Sequence, residues 1–319
     1  MDYTTLGRTG LKVGVAGLGC GGNSKIGQGA GHSEADSVAL IHRALDLGVN
    51  FLDTARVYGT EAVVGEAIKS VPRDSVIVSS KHQANPRVTA EILAAEIDAS
   101  LRDLDTDYID IYHLHGVYPE HYNHALNALA PVLMKARDAG KIRFLGITES
   151  SPSDHSQTML NRAAVDGCWD VMMLGFNMMH QVARNGLLPL TLQNDIGTLI
   201  MFAVRNLFSV PGRLQETMRE LGADGRVPAW LAESGDPLGF LVHPEDGGAA
   251  SVIEAAYRYA RHEPGADVVL FGTGRVAHLE ANIASILKPP LPAADTERLA
   301  ELFGHLQGVG LDLPGPGKN

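Results

Sequence analysis

A chain of 319 residues with 45% hydrophobic and 20% charged side chains can bury a large core, and this balance excludes an intrinsically disordered protein. Twenty-six Lys and Arg against 37 Asp and Glu leave a formal charge of -11, which repels a nucleic-acid backbone and an anionic membrane surface alike. No segment reaches the roughly 18 apolar residues of a membrane span, the first twenty residues lack an uninterrupted apolar run, and the only cysteines are Cys20 and Cys168, so a reducing cytoplasm is expected.

In chain order, YTTLGRTGLKVG reads as an N-terminal β-hairpin turning at Arg8-Thr9-Gly10, placed to close a barrel floor, with an opening strand near residues 15–19. Ser33 and Asp36 stand at capping-box spacing before Val38, Ile41 and Leu45, which recur at helical intervals until Leu47-Gly48. The buried run VNFLDTA follows, then VIVSSK at 76–81, a helix marked by Leu93, Ile97, Leu101 and Leu104, and YIDIYHLH at 108–115. A glycine near a helix end and then an apolar run recur at Gly140 before IRFLGIT, Gly167 before WDVMMLGF, Gly197 before TLIMFAV and Gly265 before ADVVLFG. Eight short apolar strands alternating with helices predict an α/β chain, one (β/α)8 TIM barrel domain over 1–319. Two stretches break the rhythm: an insertion at about 206–248 with one good helical piece, RLQETMREL, and a C-terminal tail at about 288–319. Both are expected to cover the barrel mouth.

Reactive groups in a parallel barrel gather at the carboxyl ends of the strands. Asp53 closes VNFLD, Tyr58 follows in the next loop, Lys81 closes VIVSSK and His115 closes YIDIYHLH. Each alone has an ordinary reading: a helix cap, a loop aromatic, a snorkelling strand end, a satisfied core histidine. Together on consecutive strands they have a chemical logic. An ammonium stabilises a phenolate and eases proton donation by a tyrosine, a carboxylate holds a buried lysine charged, and a neutral histidine can donate to a substrate oxygen. The set reads as a device for protonating a carbonyl oxygen.

At these residues the sequence resembles the aldo-keto reductase family. FLDTARVYG with Asp53 and Tyr58, SSK with Lys81, DYIDIYHLH with His115, IRFLGIT and the late GTGRVAHLEANI are similar to the family's successive signatures, from residue 3 to about 290. The resemblance implies a barrel that binds an extended nicotinamide dinucleotide without a Rossmann domain, NADP(H) or alternatively NAD(H), and exchanges hydride with a small carbonyl or alcohol substrate. It implies Tyr58 as general acid/base, His115 as the group orienting the carbonyl, and Lys81 paired with Asp53 as the tuner of the tyrosine. Around the cofactor it implies Cys20 and Gly21 near the nicotinamide and Phe202 stacked on its ring. Gly272, Thr273, Gly274, Arg275, His278 and Asn282 then surround the adenosine phosphate, with Arg275 on the 2′-phosphate. The family's Ser-Asn pair and Gln, which hold the carboxamide, correspond here to Thr148, Glu149 and Met173. Glu149 could still accept from the carboxamide. Ala203-Val204-Arg205-Asn206 replaces the family's Ser-Pro-Leu-Gly, where Arg205 could supply charge.

Rival readings carry less. Residues 17–22 fit G-x-G-x-x-G but run into NSKIGQGAGH, which opens no helix, and 23–32 is expected as a flexible mouth loop. His113-x-His115 could be half of a metal site in a barrel hydrolase, but no further cluster completes it, so no metal is expected. A barrel that senses the nucleotide without turnover is a third reading, against which the four intact residues stand. Substrate walls are expected from Gly22–His32, from Val117–His124 with Tyr118, His121 and Tyr122, from the insertion with Trp230, and from the tail after Pro289. Their hydroxyl and imidazole groups suit a hydroxylated, sugar-like carbonyl.

Overall fold

The computed structural model describes residues 1–311, so residues 312–319 of the expected tail lie outside the described residues. Strand β1 (Tyr3–Thr5) pairs antiparallel with β2 (Lys12–Gly14). Eight parallel strands then close a barrel: β3 (Ala16–Gly19), β4 (Phe51–Asp53), β5 (Ile77–Gln83), β6 (Ile109–Val117), β7 (Ile142–Glu149), β8 (Val171–Gly175), β9 (Gly197–Met201) and β10 (Val268–Phe271). Each pairs with its sequence neighbour in the barrel, and β10 returns to β3. This is the TIM barrel expected from the alternation.

Side chains on a strand alternate between faces, and here both faces are apolar. Phe51, Ile77, Ile111, Val171, Leu199 and Val268 fill the barrel interior, while Leu52, Val78, Leu114, Leu145, Met172 and Ile200 pack outward on the helices. Helix Glu34–Asp46 starts on the expected capping box, with Ser33 accepting from Asp36 N and Asp36 accepting from Ser33 N. The hairpin closes the floor: Leu6, Leu11 and Val13 join the interior cluster, and Arg8 N and Nη2 donate to Asp195 O at 2.6 Å and Trp169 O at 3.0 Å. Gly7 allows this approach, because a Cβ there would stand 2.3 Å from Gly197 N.

Several local expectations change. Strand β5 continues two residues past Lys81, to Gln83, so the lysine stands inside the barrel and not at its lip. Gly197 is the first residue of β9, not a helix terminator. The insertion carries helices Asn206–Ser209 and Ala229–Ala232 beside the expected Arg213–Ala223. The 23–32 segment holds the 3-10 stretch Lys25–Ala30, pinned by a fully buried Ile26. After helix Ala293–Phe303, residues 304–311 run back toward the mouth, where Asn177 Nδ2 donates to Val309 O at 3.2 Å. No described helix is long and apolar enough to cross a membrane.

Candidate active site

A cavity of about 720 Å³ opens at the carboxyl ends of the strands, within the size range of small-molecule and cofactor sites. Asp53, Tyr58, His115, Glu149, Phe202 and Gly272 are among its walls.

At its base Lys81 is fully buried and donates to Asp53 Oδ1 and Oδ2 at 2.6 and 2.7 Å and to Thr54 O at 2.8 Å. Ser79 Oγ adds a 2.8 Å bond to Asp53 Oδ1, which fixes the carboxylate from the neighbouring strand. The Tyr58 ring centroid lies 5.1 Å from Lys81 Nζ and 5.7 Å from the His115 ring, with the two rings at 88°. The structure therefore brings together the four residues singled out from the sequence.

Two devices aim these groups. Tyr58 sits on the 3-10 turn Arg56–Tyr58, and Arg56 ties that turn to Glu96 at 2.9 Å, to Glu61 at 2.5 Å and to Asp103. Gly21 leaves room for the phenol, since a Cβ there would fall 2.4 Å from Tyr58 Cε2. On β6 the register against β7 shifts after Leu114, and Gly116, at φ +64°, donates from its N–H to Thr148 Oγ1 at 2.7 Å. Such an irregularity re-aims the side chain beside it, here His115.

Burial and charge compete at each group. Burial disfavours the Lys81 ammonium, but Asp53 outweighs it and the lysine is held above its ordinary value. Tyr58 is pushed up, chiefly by burial; Lys81 pulls the other way, the direction expected of a nearby ammonium, and does not overcome the burial. His115 is lowered to about 3 by burial and by Lys81, which keeps the imidazole neutral and able to donate. His113, fully buried below it against Gly146, is likewise held neutral, chiefly by burial.

Phe202 and Glu149 also line the cavity. Phe202 holds φ +67°, rare for a bulky residue, and the Arg205 guanidinium lies 5.0 Å from its ring. Glu149 is buried; its Oε1 accepts from Gly175 N and Ser151 Oγ, each at 2.7 Å, while Oε2 has no partner. Burial raises this carboxyl to about 7 against the lowering effect of those donors. Thr148 and Met173 also line the cavity. Further out, Gly272 reaches the cavity, and Thr273 Oγ1 accepts from Arg275 N at 3.1 Å at the start of helix Val276–Ile286. Gly274 packs on Gly27, where a Cβ would stand 2.5 Å from Gly27 Cα. Arg275 and His278 are exposed and Asn282 is half-buried.

Other expected positions fall elsewhere. Cys20 is fully buried beneath Gly21 and is not among the cavity walls. Of the three residues expected from the 117–124 segment only Tyr118 reaches the cavity. Tyr122 is fully buried, donating to Asp166 Oδ2 at 2.6 Å and accepting from Trp169 Nε1 at 3.0 Å. Trp230 is exposed and does not line the cavity. Gln83, Asn85 and Ser151 do line it, unforeseen because their types recur throughout the chain. Among the described residues no group of three or more His, Cys, Asp or Glu is arranged to hold a metal ion.

Comparison with known proteins agrees with this geometry. The chain is 28% identical over 322 residues to the L-galactose dehydrogenase of Arabidopsis thaliana, covering 97% of this chain and 95% of that protein. It is 29% identical over 303 residues to the aldo-keto reductase YhdN of Bacillus subtilis (strain 168), covering 88% and 87%. The fold is similar to the holo form of aldo-keto reductase AKR11C1 from Bacillus halodurans, with a TM-score of 0.72, 20% identity and coverage of 95% and 96%. It is also similar to an aldo/keto reductase from Klebsiella pneumoniae solved with NADP and acetate, with a TM-score of 0.68, 21% identity and coverage of 95% and 96%. The Aldo/keto reductase family model matches residues 17–303, and the chain belongs to that family of NAD(P)-dependent oxidoreductases.

Proposed function

We propose that this barrel interconverts a carbonyl compound and its alcohol with a nicotinamide dinucleotide, and that Tyr58 moves the proton. The observation that carries the reading is Lys81, paired with Asp53 and with its Nζ 5.1 Å from the Tyr58 ring centroid, beside a neutral His115 at the base of the cavity. The cavity wall fits the cofactor, because Phe202 offers a flat aromatic face and Glu149 Oε2 a buried acceptor without a partner. Gly272, Thr273, Gly274 and Arg275, at the start of an eleven-residue helix, suit its adenosine phosphate, with His278 and Asn282 alongside. When bound, the dinucleotide supplies or takes the two electrons as hydride.

The chain's own residues account for the rest. His115 donates to the carbonyl oxygen and holds it near Tyr58, and a neutral imidazole does this without keeping an alkoxide as a tight ion pair. Tyr58 Oη gives the proton that turns the oxygen into a hydroxyl and recovers it from solvent. The negative charge left on Tyr58 is offset by Lys81, which Asp53 keeps protonated. Exposed Arg275 favours NADP(H) over NAD(H), as a guanidinium suits a 2′-phosphate.

For substrate we favour a hydroxylated, sugar-like carbonyl. Asn23, Ser24, Gln83, Asn85, Tyr118 and Ser150 give the cavity rim many hydrogen-bonding groups, and sites built on such groups discriminate strongly for hydroxyls. One of the relatives is named for L-galactose. Assay of aldoses, hydroxylated ketones and plain alkyl or aryl aldehydes with NADPH, and of sugars with NADP+, tests this. Turnover confined to plain aldehydes would remove the substrate preference, and no nucleotide-dependent turnover at all would remove the carbonyl reading.

A further inference from the structure

Where the resemblance implies a neutral amide beside the nicotinamide this chain has a carboxyl, Glu149, and the structure shows how that carboxyl is held. Glu149 ends β7, and its Oε1 is fixed from both sides by Gly175 N and Ser151 Oγ. Phe202 and Glu149 flank the same glycine: a Cβ on Gly175 would meet Phe202 Cδ2 at 3.0 Å, Leu311 Cδ2 at 3.1 Å and Glu149 Oε1 at 3.2 Å. Leu311 closes this corner from the C-terminal segment. A buried carboxyl with one anchored and one unpartnered oxygen therefore stands at the edge of an aromatic face in the cavity wall.

We propose, resting on the dinucleotide reading above, that Glu149 makes this site discriminate between the two redox forms of its cofactor, holding the cationic oxidised nicotinamide in preference to the neutral reduced one. A planar aromatic cation satisfies both features at once: its face lies on a phenyl ring and its charge beside a carboxylate. A neutral reduced ring gains only the contact and a hydrogen bond from its carboxamide. A neutral asparagine cannot make this distinction.

The discrimination depends on pH, because burial brings the Glu149 carboxyl to about 7. Above that value the anion is present and the preference is full; as pH falls the carboxyl takes a proton and the preference disappears. Asp154 in the following loop raises the group, and Gln157, Ser151 and Gly175 N lower it. Across the cavity, His115 stays neutral down to about 3, while Lys81 and Tyr58 titrate above their ordinary values, outside this window. The Arg205 guanidinium stands beside the same Phe202 ring. A 2′-phosphate titrates near ~6 but is shared by both redox forms, so it cancels from the ratio of their affinities.

A tenfold preference lowers the potential of the bound couple by about 30 mV. On the protein this moves the balance toward oxidised nucleotide and alcohol, and it slows release of the oxidised nucleotide.

Equilibrium titration of the wild type with NADP+ and with NADPH from pH 5.5 to 9, at constant ionic strength, tests the proposal without any turnover. The ratio of the NADPH dissociation constant to that of NADP+ should rise about 10- to 100-fold across neutrality, the range expected for one partly screened charge pair. In Glu149→Gln, which keeps the acceptor for Gly175 and Ser151, the ratio should stay flat at its acid value. Wild-type binding of both nucleotides with a flat ratio overturns this inference alone. A ratio that rises equally in the Gln variant also overturns it, whereas failure of either nucleotide to bind the wild type overturns the dinucleotide reading as well. The wild-type series stands by itself if the variant does not fold.

Discussion

Replacing Asp53 by Asn keeps the shape of the site and removes one charge. In the wild type a fully buried ammonium is matched by two charge-assisted hydrogen bonds of 2.6 and 2.7 Å. Breaking one side of such a pair leaves an uncompensated buried ion, which costs about 3–5 kcal/mol. For a chain of this length that is a fall in Tm of about 5–8 °C. Lys81 can relieve the cost by losing its proton, since buried lysines without a counter-charge titrate as low as about 5–6. The sign of the pH dependence follows. In the wild type the lysine is held above its ordinary value, so its contribution is constant below about 10 and lost only as pH rises beyond it. In the variant the folded chain is neutral at Lys81 while the unfolded chain is protonated, so stability rises with pH, at about 1.4 kcal/mol per unit, until the unfolded lysine titrates. Denaturant unfolding of wild type, Asp53→Asn, Lys81→Met and the double variant between pH 6 and 9.5 reads this directly. The double variant should recover most of the stability, because it buries no unpaired charge, and should remain inactive. An Asp53→Asn protein within about 1 kcal/mol of wild type with no added pH slope would refute the ion-pair account.

Tyr58→Phe should lower kcat by about 10²- to 10⁴-fold, the usual worth of a positioned acid, while nucleotide dissociation constants measured by titration stay within about twofold. Arg275→Ala should weaken NADPH by about 10- to 150-fold and NADH little, the loss of one charge-assisted bond; equal weakening in paired titrations would show that the arginine does not read the phosphate. Glu149 binds its proton more tightly folded than unfolded, so its contribution is full below about 4.5 and is lost as pH rises through about 7, a fall of about 3 kcal/mol. Glu149→Gln should remove that slope from unfolding measurements, and an unchanged slope would assign it to other groups.

The barrel was legible because each strand is an apolar run and each helix carries its own start and stop residues, as at Ser33 and Gly140. The four residues at the cavity base were legible for the same reason: each polar group interrupts the end of an apolar run, or follows it in the next loop. What depends on depth was not. Whether Lys81 or burial governs Tyr58 turns on how much water reaches the ring, and no spacing reports that. Arg56 holds the tyrosine turn through Glu61, Glu96 and Asp103, partners supplied by two helices up to 47 residues away, each of which reads alone as a solvated charge. Tyr122 lies in a polar stretch that reads as loop, yet the chain is helical there and turns the ring inward to Asp166 and Trp169. The left-handed backbone of Phe202 also has no signature, since bulky residues rarely adopt it.

The β1–β2 hairpin sets an order on folding during synthesis. It leaves the ribosome before every strand of the barrel, yet the surfaces it covers are built from residues far downstream, including Trp169, Asp195, Leu199 and Val268. Leu6, Leu11 and Val13 therefore have no interior to cover until the last barrel strand has closed. Docking of the hairpin is a late step with high contact order, and until then its apolar face is open to other chains. Substitutions that loosen this face should leave the chemistry of the finished enzyme unchanged and should instead be felt as lost yield of folded protein.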